Sequence, residues 1–266
     1  MKKLCKPVSI LLSFIMIISL FTIIPLEASA VGGISYIDGN GRENTANNVI
    51  ELTSSTTSLS AGWYAVTSDT TIGSRIVCSG DVRLILGDGV TLTAQKGIQV
   101  ALGNSLTIYA QRSSSGALVI DNVDSYCAGI GGSNNGSSGD ITVNGGVLTV
   151  TGGYYGAGIG GGDYGSGTVT VNGGKLTIYG GDSGAGIGGG RFGTGTVTIN
   201  GGDVWACGGV YSSAIGGGYH AAGTVTINSG TVAARKYSSG TGIGGGASSL
   251  ETSNITINCR DLANWI

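Results

Sequence analysis

A repeat of about 28 residues is the feature of this chain that most constrains its fold. Runs of the form Ile-Gly-Gly-Gly begin at Ile159, Ile187, Ile215 and Ile243, and a less regular copy surrounds Ile130. A strict period in this range predicts a stack of similar structural units. Because one such unit is too small to bury its own apolar residues, each unit must pack on its neighbours. The repeat therefore predicts an elongated solenoid.

Each repeat contains three short runs of strand-forming residues. In one unit these are residues 168–171, residues 175–179 and a weaker run around Ile187, separated by Asn-Gly and Gly-Gly pairs. Alternating β-branched residues bounded by such pairs indicate strands and turns. Three strands per repeat without hairpin pairing predict an all-β fold, a single-stranded right-handed parallel β-helix whose rungs stack about 4.8 Å apart. A sandwich or barrel, the alternative, would not need a strict register over four copies.

Differences along the chain divide it into four segments. Residues 1–30 combine a basic start, an apolar stretch and an Ala-Ser-Ala end, which is typical of a cleaved signal peptide. Residues 31–60 are irregular and polar, and we expect them to cap the N-terminal end of the stack. Residues 61–246 are predicted to form the β-helix, with about 22 residues per rung in its N-terminal half and about 28 in its C-terminal half. Residues 247–266 are expected to be a C-terminal cap or a truncated last rung.

The same register predicts free thiols. Cys78, Cys127, Cys207 and Cys259 follow the predicted signal peptide. Consecutive members of this set are separated by two or three rungs, which is about 10 Å or more along the axis. A disulfide requires Cα atoms within about 7 Å.

In the shorter rungs, Ile76 and Ile98 occupy equivalent positions of adjacent rungs, and the same offset aligns Val82 with Asn104.

Composition argues against several functional classes. The chain has a formal net charge of −2, which gives no basic footprint for nucleic acid or for an anionic membrane. His220 is the only histidine and has no cysteine or acidic partner at ligand spacing, so we expect no metal and no cofactor. The acidic residues are scattered singly, whereas glycosidases need two facing carboxylates. We therefore expect a protein that is not an enzyme, and a polysaccharide-active lyase or hydrolase is the first alternative.

Two groups of aromatic residues are the candidate ligand-binding residues. Alternation along the second strand turns Tyr179 and Trp205 outward on one face, where they are diagonal neighbours about 8 Å apart. Tyr164, Phe192 and His220 share a column in the loop after the glycine run. Flat aromatic rings with polar surroundings suit sugar rings, whose C–H faces are apolar. These five residues could equally serve to cover loop hydrophobics.

Two repeated polar columns have simpler interpretations. Asn144, Asn172, Asn200 and Asn228 recur with the period of the repeat, and stacked asparagines can pass side-chain hydrogen bonds along a solenoid. We therefore expect them to be structural. Thr-x-Thr pairs occur at equivalent positions of three rungs and resemble the ice-binding face of some β-helical antifreeze proteins, although threonine is common on strands. The pairs are Thr168/Thr170, Thr196/Thr198 and Thr224/Thr226.

The chain also resembles a known family. The segments 62–66, 79–86 and 104–110, followed by the Ala-Gly-Ile-Gly-Gly units, are similar to a module of secreted and surface proteins of Gram-positive gut bacteria. These proteins are described as adhesin-like or carbohydrate-binding, with a pectin-lyase-like β-helix. The resemblance implies a secreted, extracellular or cell-surface protein whose partner is a polysaccharide or host glycan. It carries no functional residues over, and it leaves the oligomeric state open.

Overall fold

The computed structural model describes residues 30–121 and 123–258, which wind into a right-handed parallel β-helix with no helical segment in that part of the chain. The first half of the chain contains the strands β1 (Ala30–Val31), β2 (Ile34–Ile37), β3 (Glu43–Ala46), β4 (Val49–Glu51), β5 (Ser58–Leu59), β6 (Gly62–Val66), β7 (Thr70–Ile72), β8 (Ile76–Cys78), β9 (Asp81–Leu86), β10 (Thr91–Ala94), β11 (Ile98–Val100), β12 (Ser105–Ala110) and β13 (Ala117–Ile120). The second half contains β14 (Ile130–Gly131), β15 (Asp140–Val143), β16 (Val147–Thr151), β17 (Ile159–Gly160), β18 (Gly167–Val171), β19 (Lys175–Tyr179), β20 (Ile187–Gly188), β21 (Gly195–Ile199), β22 (Asp203–Cys207), β23 (Ile215–Gly216), β24 (Gly223–Ile227), β25 (Thr231–Arg235), β26 (Ile243–Gly244) and β27 (Asn254–Ile257).

Three sheets form the sides of the β-helix, and one complete circuit of the chain through them is a rung. Sheet A runs β4-β6-β9-β12-β15-β18-β21-β24-β27, with β1 antiparallel on β4. Sheet B runs β5-β8-β11-β14-β17-β20-β23-β26, and sheet C runs β7-β10-β13-β16-β19-β22-β25. The strands within each run are parallel, so the predicted fold is confirmed. Its period of about 28 residues per turn is confirmed too, because Ile159, Ile187 and Ile215 are paired in successive rungs.

One predicted register in the shorter rungs is wrong. Ile76 pairs with Ile98, as the sequence indicated. Val82 pairs with Leu106 rather than with Asn104, so the step in sheet A is two residues longer than the step in sheet B. The two extra residues are absorbed in the loops between sheets. Because side chains alternate with a period of two, a slip of two residues leaves the same side chains pointing inward.

The core is a set of ladders that run along the axis. Sheet B contributes the isoleucine ladder, whose members from Ile98 to Ile215 are fully buried. Sheet C contributes a ladder that includes Leu148, Leu176 and Val204, as the alternation predicted. At the last rung this burial weakens, since Val232 is only partly buried. Each rung is therefore buried by the rung that follows it, as expected for a solenoid.

The asparagine column is a hydrogen-bonded ladder. The side-chain amide of Asn172 donates to Asn144 at 2.7 Å, and Asn200 donates to Asn172 at 2.8 Å. The ladder continues through Asn228 and reaches Asn258, which was not recognised from the sequence because its step is 30 residues. These side-chain amides hydrogen-bond to one another, so the prediction that the asparagine column is structural is confirmed.

A hairpin of β2 and β3 lies on the outward face of sheet A. Its residues Ile34 and Ala46 are buried against Ala65 and Ile85, which point outward from β6 and β9. Tyr36 completes the contact by packing against the rings of Trp63 and Tyr109, at 4.6 and 4.8 Å between centroids, and those two rings also contact each other. The hairpin therefore covers an apolar patch on this side of the β-helix.

The thiols of Cys78, Cys127 and Cys207 are free, as the register predicted. Burial raises the pKa of Cys78 to about 12. Cys259 and the predicted signal peptide up to residue 29 lie outside the described residues.

Candidate ligand-binding site

The structure brings Trp205 and Tyr179 into contact on the outward face of sheet C. Val204 and Ala206 point into the core and are fully buried, which turns Trp205 outward. The indole and phenol rings lie 5.0 Å apart between centroids, with their planes at 60°. The rings are therefore much closer than the backbone spacing alone suggested, because both side chains lean toward each other across one rung.

Tyr179 lines an open groove of about 420 Å³ at the corner where sheet C passes into the next loop. We call this groove, together with Trp205, whose ring contacts that of Tyr179, the aromatic groove. Its other lining residues are Gly180, Asp182, Cys207, Gly208, Val210 and Tyr237. The glycines have no side chains that could fill the groove. Tyr237, at the C-terminal end of the groove, is 74% exposed. Sequence reasoning missed Asp182 and Tyr237, because both lie in loops where no alternation fixes the direction of a side chain.

The polar groups of the aromatic groove are suited to hydrogen bonding. The negative charge of the Asp182 carboxylate raises the pKa of the Tyr154 hydroxyl. Burial raises the pKa of the Cys207 thiol, against a smaller opposite effect of Arg235, and the raised pKa disfavours the thiolate form. A carboxylate, hydroxyls and aromatic faces form an arrangement that can bind a polyhydroxylated molecule.

Tyr164, Phe192 and His220 also come together, in what we call the stacked column. The rings of Tyr164 and Phe192 are 4.9 Å apart, and those of Phe192 and His220 are 5.3 Å apart and parallel within 3°. All three residues have left-handed backbones, with φ of 56°, 61° and 64°. Each is the third residue of a tight turn, such as the one closed by Gly165 N–H and Gly162 C=O at 2.8 Å. Turns of this kind favour glycine or asparagine there, and an aromatic residue costs about 1 kcal/mol or more.

The geometry of the stacked column limits its use for a sugar. Phe192 stacks on Tyr164 on one side and on His220 on the other, so part of its surface is taken up by its neighbours, although it remains 42% exposed. Because sugars pack on ring faces, the column offers them less than the aromatic groove does.

An ion pair between Arg191 and the buried Asp163 lies beside the stacked column. Arg191 donates two hydrogen bonds to Asp163, from Nε at 2.8 Å and from Nη2 at 2.7 Å, and Asp163 is 2% exposed. These hydrogen bonds raise the pKa of Arg191. The guanidinium also lies 3.9 Å from the ring centroid of Tyr155, in the neighbouring loop. In the sequence, Arg191 is simply the residue that replaces Asp163 one repeat later. Because the two residues occupy the same position of adjacent rungs, they are neighbours in space, and they carry opposite charges.

The described residues contain no cluster of potential metal ligands and no helix that could cross a membrane. Within them, no three histidine, cysteine or acidic residues are grouped so that they could hold an ion. The Nδ1 atom of His220 instead lies 3.2 Å from the carbonyl oxygen of Ser248. Across the same residues, the structure has no helix with the length and apolar character needed to cross a membrane.

Comparison with known proteins supports the fold. Residues 141–163 and 197–219 match the family described as Beta helix repeat. Each match begins in sheet A, passes through sheets C and B, and ends in the loop that follows sheet B. No curated protein and no solved structure matches the chain. The chain is therefore a parallel β-helix repeat protein.

Proposed function

We propose that this chain is a secreted, non-catalytic β-helix protein that binds glycan and acts as an adhesin-like component of a cell surface or matrix. The observation that carries the proposal is the aromatic groove, which Tyr179 lines together with Asp182 and in which the ring of Tyr179 contacts that of Trp205. Secretion rests on the signal-peptide pattern of residues 1–30.

The aromatic groove has the two features that a sugar site needs. A pyranose ring has an apolar C–H face, which packs on an aromatic ring, and a rim of hydroxyls, which require hydrogen-bond partners. Tyr179 and Trp205 offer the first, since Tyr179 is 40% exposed and Trp205 is partly exposed. Asp182 and the Tyr237 hydroxyl at the rim offer the second. Ordinary ligand sites combine an apolar lining with a few polar groups in this way.

The non-catalytic part of the proposal rests on the chemistry of the same groove. Asp182 is the only carboxylate among the residues that line it. Both retaining and inverting glycosidases use a pair of carboxyl groups on opposite sides of the scissile bond. Cys207, another potential nucleophile there, has a pKa raised by burial, which disfavours the reactive thiolate. Binding without bond cleavage is the function that these residues support best.

A glycan array on the purified protein, followed by titration of two variants, tests the proposal. Trp205→Ala and Tyr179→Ala should each weaken binding several-fold, because one aromatic contact contributes about 1 kcal/mol. Phe192→Ala is the matched control, since it removes an exposed aromatic ring from the stacked column. Wild-type affinity in both groove variants, with a loss in Phe192→Ala, would move the site to the stacked column. Release of reducing sugar from a bound glycan would favour the enzyme alternative.

The outward face of sheet A favours a second candidate, ice binding. The threonine column there is longer than the three pairs seen in the sequence, since it runs unbroken through six rungs in register. Its members are Thr107, Thr142, Thr170, Thr198, Thr226 and Thr256. Measurement of ice growth in the presence of wild type and Thr198→Tyr decides this candidate. Equal growth with and without the wild-type protein would exclude it.

A further inference from the structure

We infer that Tyr126 and Tyr155 form a site of oxidative cross-linking, at which a carbon–carbon bond between the two phenol rings joins the loops of two adjacent rungs. The oxidant is hydrogen peroxide, used by a haem peroxidase. Neither residue lines the aromatic groove, and the cross-link requires no glycan.

The two rings are stacked on each other across neighbouring rungs. Tyr126 lies in the loop between β13 and β14, and Tyr155 lies in the loop between β16 and β17. Their ring centroids are 5.4 Å apart, and their planes are 27° from parallel. Tyr126 is 46% exposed and Tyr155 is partly exposed, so both phenols are accessible at the surface. Near-parallel rings in contact can bring together the ring carbons beside the two hydroxyls, and these are the carbons that couple.

Backbone hydrogen bonds hold the two loops in this arrangement. Tyr155 N–H donates to the carbonyl of Ser125 at 2.8 Å, and Asp163 N–H donates to the carbonyl of Tyr126 at 2.9 Å. The Arg191 guanidinium lies 3.9 Å from the ring centroid of Tyr155 and is itself fixed by its ion pair with Asp163. Two reacting groups that are held in contact react at a far higher effective concentration than the same groups free in solution. Coupling within the pair is therefore favoured over coupling between molecules.

The other tyrosines in ring contact have a less suitable geometry. In the described part of the chain there are three such pairs, and their planes are 46° to 83° apart, so the rings meet at a tilt or edge to face. The pairs are Tyr36 with Tyr109, Tyr154 with Tyr155, and Tyr211 with Tyr219. Tyr164 does stack, but its neighbour is Phe192, which has no hydroxyl to oxidise. The geometry therefore favours Tyr126 and Tyr155.

The reaction balances in atoms and electrons. Each phenol gives one electron and its hydroxyl proton to the peroxidase and becomes a phenoxyl radical. The two radicals join through the ring carbons beside their oxygens, and the hydrogen on each of those carbons moves to the oxygen, which restores both phenols. Hydrogen peroxide accepts the two electrons and two protons and becomes two molecules of water. Because the bond ties adjacent rungs together, it restricts the unfolded chain, as a disulfide does.

The experiment treats dilute purified protein with a haem peroxidase and hydrogen peroxide, followed by reduction and alkylation of the thiols, which peroxide also oxidises. Cleavage on the N-terminal side of aspartate separates Tyr126, in peptide 124–139, from Tyr155, in peptide 140–162. Mass analysis of the monomeric protein should find these two peptides linked and lighter than their sum by two hydrogen atoms. Absence of the linked species, or its presence only in dimers, would overturn the inference.

Three variants locate the bond. Tyr126→Phe and Tyr155→Phe keep the stacked rings but lack a phenol to oxidise, so each should lose the linked species. Tyr164→Phe is the matched control, because Tyr164 is 57% exposed and also lies near Arg191, and it should give the wild-type yield. Circular dichroism checks that all three variants are folded. Persistence of the linked species in Tyr155→Phe would assign the bond to Tyr154, and a fall in yield in Tyr164→Phe would show oxidation without selectivity for the pair. Either result would overturn the inference.

Discussion

Substitution of Gly188 by alanine is the most direct test of how the rungs are spaced. Gly188 ends the two-residue strand β20 and has φ of 134°, a conformation that side-chain-bearing residues rarely adopt. A Cβ atom there would lie under 3.0 Å from the carbonyl oxygen of Gly216, one rung ahead, a distance that real Cβ atoms essentially never show. The same oxygen accepts a hydrogen bond from Gly189 N–H at 2.9 Å. The two rungs must therefore separate before alanine can fit.

The cost follows from what the separation breaks. Opening the rungs at this point disrupts the Gly189 bond to Gly216 and the Ile187 N–H bond to Ala214, also 2.9 Å. Leaving buried backbone groups unpaired costs about 1 to 3 kcal/mol each, and backbone strain adds about 1 kcal/mol or more. We expect Gly188→Ala to lose about 5 kcal/mol. That loss is a large fraction of the roughly 5 to 15 kcal/mol by which a typical domain is stable.

The measurement is urea denaturation followed by circular dichroism, with Gly103→Ala as the matched control. Gly103 also has a left-handed backbone, with φ of 86°, but nothing lies within 4 Å of the position that an alanine methyl group would take there. Its substitution should cost only the strain, about 1 kcal/mol. If Gly188→Ala and Gly103→Ala have the same midpoint, the close approach of rungs at sheet B is not what requires glycine.

Three further predictions concern the core, the thiols and acid stability. Ile187→Asp should unfold the domain locally or wholly, because a charge without a partner would replace a fully buried side chain at a cost of several kcal/mol; an unchanged melting temperature would contradict the buried ladder. In native protein iodoacetamide should label Cys207 well before Cys78, which is buried with a pKa of about 12; peptide mass analysis that finds equal rates would be inconsistent with this burial. Burial raises the pKa of Asp88, but the hydrogen bonds that Ser113 and Ser115 donate to its carboxylate lower the pKa by more. The net pKa is therefore below that of a free carboxyl. A lowered pKa stabilises the fold above the unfolded pKa, so this contribution should begin to fade as the pH falls below about 4 and be lost once the pH passes the lower, folded pKa; Asp88→Asn should therefore flatten the acid limb of a stability curve, and an unchanged limb would refute it.

Only part of the candidate site was predictable from the sequence. The predictable residues lie on strands, and the others lie in loops. Trp205 and Tyr179 lie on strands, where alternation with a period of two fixes which side faces outward. Asp182 and Tyr237 lie in loops, where the sequence provides no such rule. Their approach to the groove depends on how two neighbouring loops pack. The loops are joined by hydrogen bonds such as that from Arg191 N–H to the Tyr155 carbonyl at 2.8 Å.

By itself the sequence determined the architecture of this protein, because a strict repeat gives every rung the same residue pattern and therefore the same local structure. The inward isoleucines and valines, the asparagine ladder and the free thiols all follow from that period. The tertiary structure alone decided what irregular positions do. It paired Asp163 with Arg191, placed the β2–β3 hairpin on sheet A and shifted the Val82 register by two residues. The hairpin and the register shift depend on contacts between segments that do not share the 28-residue period, and the ion pair depends on how two side chains at the same repeat position turn toward each other. Such contacts are fixed only when the whole chain is packed.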